Sequence, residues 1–541
     1  MQRFLQYWHT LRHLKPVQFY GRLWFRLHTP KIDSRAAPSV RSTSNAWVEP
    51  VAKHQTQFGA MTFRFLNQDQ TLSGADAWND ARCDKLWLYN LHYFDDLCAV
   101  GASDRIVWHK QLTEKWIAEN PPAIGNGWEP YPTSLRIVNL IKWSLGGNQF
   151  TNVALQSLAI QSRWLSKRVE HHLLANHLFV NAKALVFAGM FFQGLEADSW
   201  LNQGLRILAR EIPEQVLADG GHFELSPMYH AIILEDILDL INACQSWPSA
   251  LALQQASALR AAAQRMLTWL EIMSHPDGDV SFFNDAAFGI APRLIDLSQY
   301  ANRLGVRVQQ FDSSKEIHHL QQSGYIRAQK GAAVLLADVG RIGPDYQPGH
   351  AHADTLSFEF SLGEQRIFVN SGTSTYKSGA QRSLERSTAA HNTIEINHAN
   401  SSEVWGGFRV ARRAQPFGIE CVEAETALAI TASHTGYQRL VGRPTHQRMW
   451  KLSRGSLTVT DRMKGELSGA IARLYLHPSV KVLKNNILTL ANGQQLRYST
   501  NGAIVTIVDS VWHPEFGKNV SNTCLVLTLS GSESVFELQW S

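Results

Sequence analysis

The segment Gly349-His350-Ala351-His352-Ala353-Asp354 precedes a run that alternates like a strand, Leu356-Ser357-Phe358-Glu359-Phe360. Residues two apart in an extended segment point the same way. His350 and His352 are therefore expected on one face, with Asp354 beside them. Two imidazoles and a carboxylate so placed can bind a metal, move a proton, or do one of each. A third histidine follows in Ala389-Ala390-His391-Asn392-Thr393. An arbitrary H-x-H is more often a pair of surface histidines, but the flanking glycine and the second histidine cluster weigh toward chemistry.

Three further constellations lie earlier in the chain. Ala175-Asn176-His177-Leu178-Phe179-Val180-Asn181 falls inside an apolar helical pattern from Leu173 to Phe192. Polar groups there must either bond to one another or face a cavity. An internal network tying helices is one reading; an amide and an imidazole donating to an anion is the other. In Asp219-Gly220-Gly221-His222-Phe223-Glu224-Leu225-Ser226-Pro227-Met228-Tyr229-His230, Ser226 suits an N-cap and Pro227 the first helical position. Tyr229 then sits in a first turn, where the positive helix end should favour phenolate. Trp128-Glu129-Pro130-Tyr131-Pro132 offers aromatic surface, and Arg136 can grip a carboxylate with two hydrogen bonds or make an ordinary helix ion pair. His275-Pro276-Asp277-Gly278 and Asn284-Asp285 read as structural loop residues.

These residues need a large scaffold. At 541 residues the chain is too long for one core, and two or three domains are expected. Hydrophobic content of 44% and charged content of 18% describe a globular protein. The net charge of +5 comes without a Lys/Arg block of the kind nucleic acids require, which argues against a DNA or RNA partner. The 17 Trp and 13 Tyr can stack on sugars, although most should be core. Five scattered cysteines without C-x-x-C suggest neither a disulfide framework nor a thiolate zinc site. Met1 to Leu27 is amphipathic and mixes Arg and His into its apolar positions, unlike a secretory signal. No stretch approaches a membrane span, so the expected location is the cytoplasm, or the periplasm by an unrecognised export route.

The texture changes along the chain. Residues 1–60 read as a helical arm and linker, the latter polar with Pro and Ser. From about 85 to 305 apolar residues recur at three and four apart, and 61–315 is expected to be a helical domain of paired helices, compatible with an α/α barrel. From about 320 onward short alternating runs are broken by turns such as Leu362-Gly363-Glu364 and Ala491-Asn492-Gly493. Residues 316–541 are therefore expected to form an antiparallel β-sandwich.

Taken together, these motifs resemble the heparinase II/III-like proteins, which belong with heparin-type and alginate-type polysaccharide lyases. The resemblance rests on Asn176-His177, on Asp219 through His230, on the H-x-H segment, and on Ser371-Gly372-Thr373 with Tyr376. Arg386-Ser387-Thr388-Ala389-Ala390-His391-Asn392-Thr393 and Trp405-Gly406-Gly407-Phe408-Arg409 extend it. It implies an N-terminal (α/α) toroid, or incomplete barrel, packed on antiparallel sheets. It also implies β-elimination on a uronic-acid polysaccharide, the C5 proton leaving and the C4–O bond breaking. The resemblance casts Asn176 and His177 as partners of the uronate carboxylate. Tyr229 becomes the proton donor to the leaving oxygen, and His350 the base, unless Tyr229 does both. Arg136, Trp128, Glu224 and Tyr376 become substrate contacts. Relatives carry a structural zinc at positions matching His352, Asn370 and His391. Asn370 departs from the family's Asp, and a neutral amide is a poorer zinc ligand than a carboxylate.

Similar proteins without an export signal occur beside surface-polysaccharide assembly machinery, which suggests a capsule or exopolysaccharide role. Two other readings compete. One is a glycan-binding or assembly factor that keeps the cleft without chemistry. The other is a glycoside hydrolase on the same scaffold, using carboxylates such as Glu224 and Asp285.

Overall fold

The computed structural model describes residues 2–248, 250–307, 312 and 314–540. Two short helices open the chain, α1 (Gln2–Leu11) and α2 (Pro16–Leu27). Pro16 occupies the first turn of α2, and the Gln18 side chain reaches back to accept from the Lys15 N–H at 3.0 Å. The polar stretch that follows runs largely without regular structure along the helical body. It is tied there by bonds such as Arg41 N–H to Phe191 O at 2.7 Å. A small sheet of Gln57–Gly59, Thr62–Phe65 and Gln68–Thr71 ends it.

The helical body follows as α3 (Lys85–Tyr93), α4 (Ile106–Glu119), α5 (Pro130–Leu145), α6 (Asn152–Lys167), α7 (Ala175–Phe191), α8 (Leu195–Gln215), α9 (Pro227–Ser246), α10 (Ala250–Met273) and α11 (Leu294–Arg303). Helices α5, α7 and α9 are buried along nearly their whole length, and charges they carry pair among themselves, Lys183 of α7 with Asp236 and Asp239 of α9 at 2.6 Å. Helices α4, α6 and α8 keep an exposed face and alternate with them. Helix α5 packs on α7, and α7 on α9.

The remainder is antiparallel β-structure, interrupted by a short α-helix, α12 (Ala380–Glu385), which carries Arg382. One sheet has five strands in sequence order, from Ile317–Leu320 to Gln365–Phe368. The stretch Leu356 to Val369 is a hairpin, turning at Gly363, where φ is +57°. An eight-stranded sheet runs from Pro416–Glu423 at one edge to Lys481–Leu483 at the other, and a four-stranded sheet carries Ile394–Ile396 at its edge. A shared core joins the five-, eight- and four-stranded sheets, with Phe358, Trp450 and Leu525 among its members. A separate, larger core fills the helical body. Trp78, Trp87, Trp116, Trp269 and Trp450 are completely enclosed, so much of the tryptophan content serves packing.

The H-x-H segment is not strand. Residues 349–355 form a loop leading into Phe358–Leu362. Alternation in the following residues does not extend back through it, because the loop's polar groups bond to neighbouring loops instead of a ladder partner.

Candidate active site

Four helices bring their starts to one cleft of about 640 Å³. Lys85 and Leu86 come from α3, Tyr131 from α5, Asn176 and His177 from α7, and Met228 and Tyr229 from α9. Unpaired N–H groups give each helix start roughly half a positive charge. Four starts around one space favour an anion before any side chain is counted. The β half supplies the facing wall, with His350, Tyr376, Lys377 and Phe408.

Helix α7 begins at Ala175, so Asn176 and His177 lie in its first turn instead of inside it. Leu174 and Ala175 just before them have φ of +64° and +50°, a left-handed turn that side chains seldom adopt. Strain of this kind collects at functional sites. The Asn176 backbone N–H donates to Glu224 Oε1 at 3.3 Å. His177 Nδ1 lies 3.1 Å from Glu170 Oε2, and its ring packs on Tyr131 at 4.5 Å. Burial pulls the His177 pKa down, but Glu170 outweighs it and the net shift is upward. Asn181 belongs to the scaffold: it is buried, accepts from Glu170 N–H at 2.9 Å and donates to Ser134 Oγ at 3.0 Å.

Helix α9 starts as its sequence predicts. Pro227 is its first residue, and Ser226 Oγ accepts from Tyr229 N–H at 3.1 Å. The Tyr229 hydroxyl bonds to that of Tyr376 at 3.0 Å, and its ring stacks on His350 with centroids 3.9 Å apart. The expected phenolate is not favoured here. Burial pushes the Tyr229 phenol well above its ordinary range, with Tyr376 adding to the shift, so desolvation overrides the helix start. Tyr229 is a held proton, suited to an acid.

His350 is set by Asp285, a loop residue expected to be structural. Its Nδ1 lies 2.9 Å from Asp285 Oδ2, which makes Nδ1–H the donor; in the neutral ring the lone pair is then on Nε2. Asp285 also faces His352 Nε2 at 2.8 Å, accepts from Thr373 Oγ1 at 3.3 Å, and pairs with both terminal nitrogens of Arg382. Burial would raise its pKa, yet Arg382 and the two imidazoles hold it far below the usual carboxylate range. His350 and His352 do share a side, that of Asp285. Asp354 does not join them; it is buried and accepts from the Asn284 backbone N–H at 3.2 Å. Neither Asp285 nor Arg382 stands in a spacing that points to His350. Only the fold joins them.

Arg136 and Trp128, expected as substrate contacts, lie in the core instead. Arg136 is completely buried, donating to Gln161 Oε1, His92 O and Gly127 O at 2.7–3.0 Å. Trp128 is buried and donates to Asn120 O at 3.1 Å. Neither lines the cleft: Arg136 is on the face of α5 turned into the helical core, and Trp128, in the turn before α5, packs between Trp116 and Trp164. Glu224 is buried behind the cleft, 3.5 Å from His350 Nε2, and burial raises its pKa. It can act on substrate only through Asn176 and His350. Tyr376 lines the cleft as expected. Asp84 is the only carboxylate among the described residues lining it, so no exposed carboxylate pair of the hydrolase kind faces the space.

The residues matching the family's zinc ligands fit a metal only in part. His391 Nδ1 donates to Ser387 O at 2.7 Å, and His352 Nε2 donates to Asp285. The facing atoms, His352 Nδ1 and His391 Nε2, are 3.0 Å apart and both carry lone pairs in the neutral tautomers. A cation between them would satisfy both. Asn370, however, turns its Oδ1 to the Asn392 N–H at 3.1 Å, and its buried Nδ2 has no partner. Among the described residues no group of three or more His, Cys, Asp or Glu is arranged around a metal. Two nitrogen donors without a carboxylate are an incomplete zinc site.

Family models match the chain from residue 33 onward, leaving out α1 and α2: Heparinase II/III N-terminus over residues 33–312, and Heparinase II/III-like, C-terminal over 312–541. The chain belongs to the heparinase II/III family. A heparin-sulfate lyase of Bacteroides stercoris is 25% identical over 336 residues, 57% of this chain. The match spans about half of that relative, 46% of its length. The solved structure of Heparinase III aligns with 88% of this chain and 79% of its own, at a TM-score of 0.65 and 19% identity. That of a mutant of heparan sulfate lyase HepC from Pedobacter heparinus covers 97% and 87%, at 0.61 and 18%. At these identities the two structures establish the shared heparinase fold: a helical N-terminal region followed by antiparallel sheets.

Proposed function

We propose that this heparinase II/III protein is a polysaccharide lyase that cleaves a uronate-containing polymer by β-elimination. The observation that carries the reading is convergence. Asn176, His177, Tyr229 and His350, drawn from both halves of the chain, line one cleft. The relatives named for heparin sulfate lysis support the same class of substrate.

The elimination needs three acts, and each has a candidate. Asn176, His177 and the helix starts neutralise the uronate carboxylate, which makes C5–H acidic. His350 Nε2, its lone pair set by Asp285, takes the C5 proton. The electron pair forms the C4–C5 double bond, the C4–O bond breaks, and Tyr229 gives its proton to the departing oxygen. The raised phenol pKa suits this donor role. Two imidazoles alone are a poor zinc site, so no step is assigned to a metal. Under this reading the helices close as an (α/α) toroid, the sheets layer as a sandwich, and capsule or exopolysaccharide is a candidate polymer.

The test is the ultraviolet absorbance of the conjugated product on heparan sulfate, hyaluronan, chondroitin and alginate. Mass spectrometry separates elimination from hydrolysis, whose products are heavier by one water. Saturated ends, or no cleavage of any uronate polymer, would overturn the reading.

A further inference from the structure

Helices α1 and α2 hold the body with one face and leave the other bare. On the inner side, Gln18 Nε2 donates to Tyr346 O at 3.1 Å, and Arg168 lies 3.4 Å over the Phe25 ring. Thr10 Oγ1 accepts from Trp405 Nε1 at 3.2 Å. The hairpin is therefore seated, not loose. Phe19, Leu23 and Leu27 stand four apart on α2, with Tyr20 and Trp24 beside them; all five are exposed, Leu27 by 76%, and all but Phe19 border an open cleft of about 1070 Å³ that α2 shares with Arg168 and His172. Phe4, Leu5 and Trp8 continue the surface on α1, with Phe4 exposed by 73%. Exposed apolar side chains at helical spacing on two adjacent helices call for a partner.

Charge identifies that partner. Residues 1–32 hold six Lys and Arg and no Asp or Glu, so they more than account for the whole chain's net charge of +5. Arg3, Arg22 and Arg26 lie on the same two helices as the apolar stripes, and Arg12 in the turn between them. A second copy would bring this positive surface against itself. A glycan would stack on the aromatic rings but has no use for bare Leu23 and Leu27. An anionic lipid surface takes both the aliphatic and aromatic side chains and the cations around them. None of the described helices is long and apolar enough to cross a membrane, so the contact lies along the bilayer.

We propose that α1 and α2 form an interfacial hairpin that seats this protein on an anionic phospholipid bilayer. The cleft stays close to that surface: Phe408 lines both the cleft and the groove that Tyr7 and Thr10 of α1 share with Trp405. The inference does not depend on the lyase reading.

The experiment is flotation of the full chain with phosphatidylcholine vesicles, with and without phosphatidylglycerol. The wild type should float with the anionic vesicles and stay in solution with the neutral ones. The triple variant Leu23→Ser, Trp24→Ser, Leu27→Ser should lose at least about tenfold in binding with its melting temperature unchanged, because these side chains are exposed. Arg3→Gln with Arg26→Gln should weaken binding most at low salt. Wild type that ignores anionic vesicles overturns the proposal, as does a folded triple variant that binds equally well. A wild-type dimer by light scattering that the triple variant abolishes, without vesicle binding, assigns the face to a second copy instead and also overturns it.

Discussion

The phenol ring of Tyr229 lies on the imidazole of His350, with centroids 3.9 Å apart and planes 29° apart. No sugar fits between two rings in contact, so the proposed acid and base approach a bound uronate from the same side. In glucuronate C5–H and the C4 oxygen share a face; in its C5 epimer, iduronate, they do not. Polymers of glucuronate should be cleaved with kcat/KM at least about tenfold above iduronate-rich ones, as misplacing a reacting group costs rate steeply. Parallel initial rates decide it, and equal rates would remove the same-face geometry.

Tyr229→Phe keeps the ring and its stacking on His350 but removes the proton. It should lower kcat by roughly 10²–10⁴-fold while KM stays within a few fold. Oligosaccharide binding by calorimetry, run beside the product assay, separates lost chemistry from lost affinity. An unchanged kcat would leave the leaving oxygen without this donor.

Asp285 is both a positioning residue for His350 and half of a buried ion pair with Arg382. Asp285→Asn leaves Arg382 uncompensated and should cost about 3–5 kcal/mol of stability, read from urea midpoints. Adding Arg382→Gln should restore part of that stability without restoring kcat, because the His350 tautomer is still unset. Recovery of activity in the double variant would make Asp285 structural only.

His177 gives a pH signature. Burial lowers its pKa, but Glu170, with Glu224 and Glu129 adding, raises it above 6.5 on balance, so its pairing with Glu170 contributes fully below 6.5 and fades as pH rises through the raised value. The same charge would meet the uronate carboxylate, so KM should climb over that interval. Glu170→Gln should move the climb to lower pH, and His177→Ala should flatten it. A KM profile that Glu170→Gln leaves unmoved would separate His177 from substrate charge.

Asn370 is testable as the missing ligand. Asn370→Asp supplies the carboxylate that the His352–His391 pair lacks, and should raise the zinc content of purified protein by elemental analysis relative to the wild type. Equal zinc in both proteins would show that residue 370 does not govern the metal.

The change from helical to β texture was readable, since packing periods of 3.6 and 2 write themselves into any half-buried element. The cap of α9 was readable as well, because Ser226 and Pro227 act on their own backbone. The start of α7 was not. The left-handed turn at Leu174 and Ala175 leaves no mark in an apolar stretch, and so the sequence places Asn176 inside the helix and not in its first turn. The H-x-H spacing placed His350 and His352 on one side but not Asp354, because a loop whose bonds go to other loops has no period of its own.

By itself the sequence determined which side chains could do chemistry and which elements would carry them, because residue type and local spacing are properties of nearby chain. Only the tertiary structure decided that Asp285 orients His350, that Arg136 and Trp128 are core, and that burial keeps the Tyr229 proton in place. Those outcomes depend on dielectric and on contacts between distant segments. A carboxylate 65 residues from its imidazole becomes its partner only when two loops meet.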